Sequence, residues 1–190
     1  MKALFCHRPS PVSGFLKESA WIFLLLFLSG TWLKAQTNPA SENSVKAVFL
    51  YNFTRFVDWP PDAFITSDAP FVIGIIGKDP FTPYLEEAVA GEKLGNHQIV
   101  VKHFANSYEA VNCHILYISF NDADKIKEAL SGLSGKSILT VNETTNFPRL
   151  GGMVRFFTEN NKIRIEINAE AAKAAGLTIS SKLLNVSKIY

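Results

Sequence analysis

Phe71-Val72-Ile73-Gly74-Ile75-Ile76-Gly77-Lys78-Asp79-Pro80 is the stretch on which the reading of the fold turns. Its apolar run is too short for an ordinary helix and does not alternate, so Phe71 to Ile76 reads as a strand buried on both faces. Gly77 ends it. Asp79 then supplies an N-cap and Pro80 suits a first helical turn, which predicts a helix over Phe81 to Ala90. The same order recurs downstream. Gln98 to Phe104 and Cys113 to Ser119 are β-rich, Asn121 or Asp122 caps a helix running through Leu130 with Gly132 past its end, and Ser137 to Val141 is a fourth strand. Buried strands joined by short helices need crossovers. The expectation is a single α/β domain with a doubly wound, mostly parallel sheet.

Upstream, Val45 to Val57 has helical spacing, with Val45, Val48, Phe49, Phe53, Phe56 and Val57 on one stripe and Lys46, Thr54 and Arg55 off it. Trp59-Pro60-Pro61 ends that helix, since a residue before proline is pushed out of the helical region. Downstream, Met153 to Thr158 and Lys162 to Asn168 flank Glu159-Asn160-Asn161, and asparagine tolerates the positive φ of a two-residue hairpin turn. Facing Glu159 with Lys162 pairs Thr158 with Ile163, Phe156 with Ile165 and Val154 with Ile167 on one face. Phe157 with Arg164 and Arg155 with Glu166 fall on the other. This is the alternation of a half-covered antiparallel edge, formed by a C-terminal β-hairpin. Asn168 caps a short helix to Ala175 closed by Gly176, and Ser180 caps a last one containing Leu183 and Leu184.

Residues 1–35 read as a secretory leader: basic Lys2, Arg8 and Lys17, the apolar run Ala20 to Leu28, and Leu33-Lys34-Ala35 as the cleavage site. Ala20 to Leu33 is 14 residues, and a membrane span needs about 20. Cleavage after Ala35 would start the exported chain at Gln36 and leave residues 36–190 as the domain, placing it in the periplasm. The leader carries four basic residues and one acidic, so the remainder has 15 basic against 16 acidic residues. That balance offers no footprint for nucleic acid. Cys6 leaves with the leader, and Cys113 then has no partner for an internal disulfide. Within an apolar run it reads as an inert core thiol.

The chain lacks the nucleophile elbow, the phosphate loop and the paired-histidine zinc motif, and Gly74 and Gly77 do not make a dinucleotide fingerprint. His103, Cys113 and His114 match no zinc spacing. Glu86-Glu87 and Asp122-x-Asp124 fit solvated or capping roles. No catalytic constellation, metal site or cofactor is expected.

Two longer motifs remain. Lys46-Ala47-Val48-Phe49-Leu50-Tyr51-Asn52-Phe53-Thr54-Arg55-Phe56-Val57-Asp58-Trp59-Pro60 is one. The other is Gly151-Gly152-Met153-Val154-Arg155-Phe156-Phe157 with Lys162-Ile163-Arg164-Ile165-Glu166-Ile167-Asn168 and Gly176 to Leu184. Together they resemble the YfiR family of periplasmic regulators (YfiR/HmsC-like), over about Val45 to Leu184. The resemblance implies a non-enzymatic protein that binds the periplasmic part of a membrane diguanylate cyclase, represses cyclic-di-GMP signalling, and is released by an envelope signal. Related domains serve as inputs to sensor histidine kinases. Relatives carry paired cysteines, whereas Cys113 stands alone here, which argues against redox control by an internal disulfide.

Most of the first-helix aromatics suit a core, and Tyr51, Asn52 and Trp59, which have polar handles, are the candidate partner contacts. The candidate ligand crevice is at the carboxyl ends of the parallel strands, with Lys78 and Asp79, Ser119 and Asn121, and Asn142 and Glu143. A helix starting at Pro80 would favour an anionic small molecule there. A second copy of the chain is a further candidate partner. Two other functions stay open: a small-solute receptor feeding a transporter, and an envelope hydrolase.

Overall fold

A computed structural model of the chain describes residues 39–190, so the leader and the Gln36 start lie outside the described residues. No helix among the described residues is long and apolar enough to cross a membrane.

The elements run α1 (Pro39–Phe56), β1 (Val57–Asp58), β2 (Phe71–Ile76), α2 (Thr82–Val89), β3 (Lys93–Leu94), β4 (His97–Phe104), β5 (Ile115–Ile118), α3 (Ala123–Ser131) and β6 (Leu139–Asn142). They continue with β7 (Val154–Glu159), β8 (Lys162–Ile167), α4 (Ala169–Ala174), β9 (Thr178–Ile179), α5 (Ser181–Asn185) and β10 (Lys188–Ile189). Among the described residues the main sheet has eight strands in the order β10-β8-β7-β6-β5-β2-β4-β3. Only β7–β8 and β3–β4 pair antiparallel in it. The sheet is therefore mostly parallel, and its order reverses between β2 and β5. β1 and β9 form a separate antiparallel ribbon.

Side-chain alternation along each strand builds two cores. Phe71, Ile73, Ile75, Ile115, Tyr117, Leu139 and Val141 pack with α1, α2 and α4 on one face. Val72, Ile76, Leu116 and Ile118 pack with Ile126, Ala129 and Leu133 on the face that α3 covers. Helices on both faces make the sheet doubly wound, as the sequence indicates.

The hairpin has the register that its alternation predicts, from Glu159 opposite Lys162 to Val154 opposite Ile167. Asn160 and Asn161 take φ of 51° and 58°, the positive values that a tight turn of this twist requires. It is not an edge, however. β10 pairs parallel beside β8, with Lys188 opposite Glu166, and strands of two residues carry no pattern to announce them. Gly151 ends a 3₁₀ turn with φ of 95°. A Cβ on Gly152 would lie 2.2 Å from the Phe147 ring, so this pair lets the chain pass closely under Phe147 before β7.

The structure corrects the reading of α1 twice. The helix begins at Pro39 rather than Val45, because proline is well suited to a first turn and polar residues do not prevent one. Its buried stripe is also rotated: Lys46, Ala47, Leu50, Phe53 and Thr54 face inward, while Val45 and Val48 are 39% and 49% exposed.

Candidate functional site

The carboxyl ends of β2, β5 and β6 bring the predicted crevice residues to one edge of the sheet. Hydrogen bonds draw their loops together. The Ser119 hydroxyl donates to the Lys78 carbonyl, which bridges the crevice where the strand order reverses. Asn142 is buried, and its Nδ2 donates to the Ile118 carbonyl at 2.5 Å and the Phe120 carbonyl at 2.8 Å. Its Oδ1 accepts from Thr144 N at 2.6 Å. The Asp79 carboxylate accepts from Phe81 N and Thr82 N and from the Thr82 hydroxyl. It thus caps α2, which starts at Thr82 rather than Phe81. Asn121 is exposed.

Glu143 belongs to a second group, which the sequence reading divided. Its Oε1 accepts from the Tyr117 hydroxyl at 2.7 Å and lies 2.9 Å from Lys46 Nζ, which also meets Glu42 Oε1 at 2.9 Å. Lys46 is 7% exposed. Burial by itself would push its ammonium down, but the hydrogen bonds it donates to Glu143 and Glu42 outweigh that and hold it above the usual lysine range. Burial first and Glu143 second raise the Tyr117 phenol, keeping it a neutral donor. Beside this group lies a polar cleft of about 370 Å³, with Glu42, Lys46, Glu143, Arg155 and Phe157 among its walls. Arg155 Nε bonds Glu166 Oε2 at 2.7 Å, and Lys188 Nζ meets Glu166 Oε1 at 2.8 Å. Burial would raise the Glu166 carboxyl, but Lys188 and Arg155 hold it below the usual range. The sequence pattern sets Lys46 off the apolar stripe because the stripe that is buried also includes a threonine, Thr54. The available signal was its spacing of four, seven and eleven residues from Leu50, Phe53 and Val57.

The three candidate contact residues differ in how far they face outward. Trp59 is half-buried; its Nε1 donates to the His114 carbonyl at 3.1 Å and its ring meets Phe71 edge-on at 4.9 Å. Its polar handle is engaged within the domain. The Tyr51 hydroxyl donates to Glu92 Oε2 at 2.5 Å and accepts from Arg55 Nη2 at 2.6 Å, tying α1 to the turn after α2. The bond to Glu92 raises its phenol. Asn52 lies on the outward strip of α1, with Val45, Val48 and half-buried Phe49 along a shallow groove.

The two motifs meet in space. Val57 pairs with Ile179 and Asp58 with Thr178, and Ser180 N donates to the Phe56 carbonyl at 2.9 Å. A doubly wound sheet whose first helix is clasped at one end by the last motif and at the other by a lysine between two carboxylates defines an α/β protein of a particular kind. The chain belongs to the YfiR/HmsC-like family, which residues 43–188 match. No curated protein matches it.

Proposed function

We propose that this protein is an exported regulator that binds the periplasmic part of a membrane signalling protein, a diguanylate cyclase, and holds it in check until an envelope signal arrives. The observation that carries the reading is the family match, because it spans both motifs and the strands between them. What supports regulation over catalysis is the commitment of the polar groups. Asp79, Asn142, Glu143 and Lys46 each have partners within the fold, whereas an acid, base or nucleophile must meet a substrate. The leader, cleaved after Ala35, would deliver the domain to the periplasm. The contact surface in this reading is the outward strip of α1, with Asn52 one turn beyond the exposed Val45 and Val48 and Tyr51 at its border.

Deleting the gene in the organism of origin should raise cyclic-di-GMP, and the full chain supplied in trans should restore the original level. Val48→Lys should fail to restore it while the purified variant unfolds at the wild-type denaturant concentration. Unchanged or lowered cyclic-di-GMP on deletion would overturn the proposal.

A further inference from the structure

A strap of chain from Trp59 to Pro70 lies over the amino ends of β2, β4 and β5, and two histidines hold it. Phe64 is stacked on His97 with centroids 4.0 Å apart, and lies 4.5 Å from the His114 ring. His114 is itself 4.5 Å from Phe71, the residue on which Trp59 rests. The five rings thus form one continuous pack through the strap. At its far end, His97 Nδ1 bonds the Ala69 carbonyl at 2.6 Å, so His97 is the donor there.

His114 is the unusual member. It is 3% exposed. Its Nδ1 accepts from Val72 N–H at 3.1 Å, which places the ring proton of the neutral form on Nε2, and Nε2 has no hydrogen-bond partner. A second proton could go only onto Nδ1, where it would point at the Val72 N–H. The acceptor would become a donor facing a donor, with a buried positive charge. We propose that protonation of His114 releases the Trp59–Phe64 end of the strap while His97 retains the Ala69 end, making this edge of the sheet an acid-opened latch. Opening would uncover Trp59, Phe64 and Phe71 as one aromatic surface.

The charges around the ring agree with this direction. His97 on β4 faces it across Phe64, and a proton there opposes one on His114. The carboxylates of this end, Asp58, Asp62 and Asp68, are exposed; β2 brings no ionisable side chain, and the one on β5, Tyr117, is bonded to Glu143 at the carboxyl edge. Burial first, then His97, push His114 down to about 4 from 6.5, outweighing the Ala63 backbone in the strap, which favours the charged ring. The closed form therefore binds the proton more weakly than the open form. Closure is fully favoured above about pH 6.5 and is lost progressively as pH falls towards about 4. Over that window the open-to-closed ratio rises by up to about 300-fold, enough to turn an opening of one in a hundred into a majority. The inference does not depend on the regulatory reading above.

Trp59 is both part of the latch and its reporter. In the full chain carrying Trp21→Phe and Trp32→Phe it is the single tryptophan of the three. Between pH 7.5 and 4 its emission should shift to the red, with far-ultraviolet circular dichroism unchanged, at the midpoint where the His114 ring resonances titrate by nuclear magnetic resonance. In His114→Asn the amide oxygen replaces Nδ1 as acceptor and cannot titrate, so the shift should vanish; in His97→Asn it should remain. A flat wild-type emission, a shift that persists in His114→Asn, or a midpoint separate from the His114 titration would each overturn the proposal. Should His114→Asn fail to fold, the coincidence of the two wild-type midpoints decides.

Discussion

Replacing Trp59 with alanine separates the structural share of the first motif from its recognition share. A fully buried tryptophan lost to alanine costs about 3 to 5 kcal/mol. Trp59 is half-buried, so packing should account for about 2 kcal/mol. The lost hydrogen bond to the His114 carbonyl adds about 1 kcal/mol. The carbonyl keeps its bond from Leu139 N at 2.8 Å, so it is not orphaned and no larger penalty follows. The expected total is about 3 kcal/mol, equivalent to a fall in Tm of about 6 to 12 °C for a domain of this size. Trp59→Phe keeps a ring against Phe71 and should cost about 1 kcal/mol. Urea unfolding of the three proteins, followed by circular dichroism, gives the order directly. Partner affinity measured on the same variants, under conditions where all are folded, gives the recognition share. A Trp59→Ala variant within 0.5 kcal/mol of wild type, on the order of an ordinary surface substitution, would refute the packing argument.

Four further outcomes follow from particular contacts. Gly152→Ala should destabilise by about 3 kcal/mol or fail to fold, because its Cβ would strike the Phe147 ring, whereas Gly91→Ala meets no neighbouring atom and is strained only by its backbone; denaturant midpoints compare the two. Lys46→Met leaves Glu42 and Glu143 without their shared cation and should cost about 1 to 3 kcal/mol at pH 7, which paired unfolding curves would show. Cys113 is 4% exposed and burial pushes its thiol up to about 12, so a thiol reagent should label it only after denaturation, and reductant should leave Tm unchanged. Mass spectrometry of the exported form should find Gln36 at its N-terminus; a retained Ala20–Leu28 run would contradict leader cleavage.

The parts of the fold that were legible are those where a single periodicity decides the answer. In the hairpin, a slip of one residue would turn Val154, Phe156, Ile165 and Ile167 out of the core and break Arg155 from Glu166; the alternation admits one register. The continuous runs in β2 and β5 and the cap at Ser180 were equally plain, while the sequence left Asn121 and Asp122 as alternative caps and the structure uses Asp122; both caps accept backbone N–H groups. The phase of α1 was not legible because apolar residues surround the helix: Ala47, Leu50 and Phe53 face the sheet while Val45 and Val48 face away. Charge misled in the same way, since Lys46 is buried through carboxylates that come from its own helix and from the loop after β6. Contacts between such distant segments leave no local pattern. The crevice loops were placed at the correct edge by topology alone, but the bonds from Ser119 and Asn142 that join them depend on side-chain geometry.

The clasp explains why two motifs separated by some ninety residues, Pro60 to Gly151, occur together. From Lys46 to Phe56 is ten residues, a rise of about 15 Å, and a strand of four to six residues spans about 13 to 20 Å. The helix therefore crosses the sheet once, from the carboxyl edge, where Lys46 meets Glu143, to the amino edge, where the ribbon and Trp59 hold it. Neither tether is an ordinary surface contact: one is a buried ammonium between two carboxylates, and the other is a backbone ladder supplied by the last motif. Val45, Val48 and Asn52 look outward from the rod fixed between them. In the proposed reading, a partner gripping this strip would hold an uninterrupted helix over Pro39–Phe56 that is tethered at both edges of the sheet.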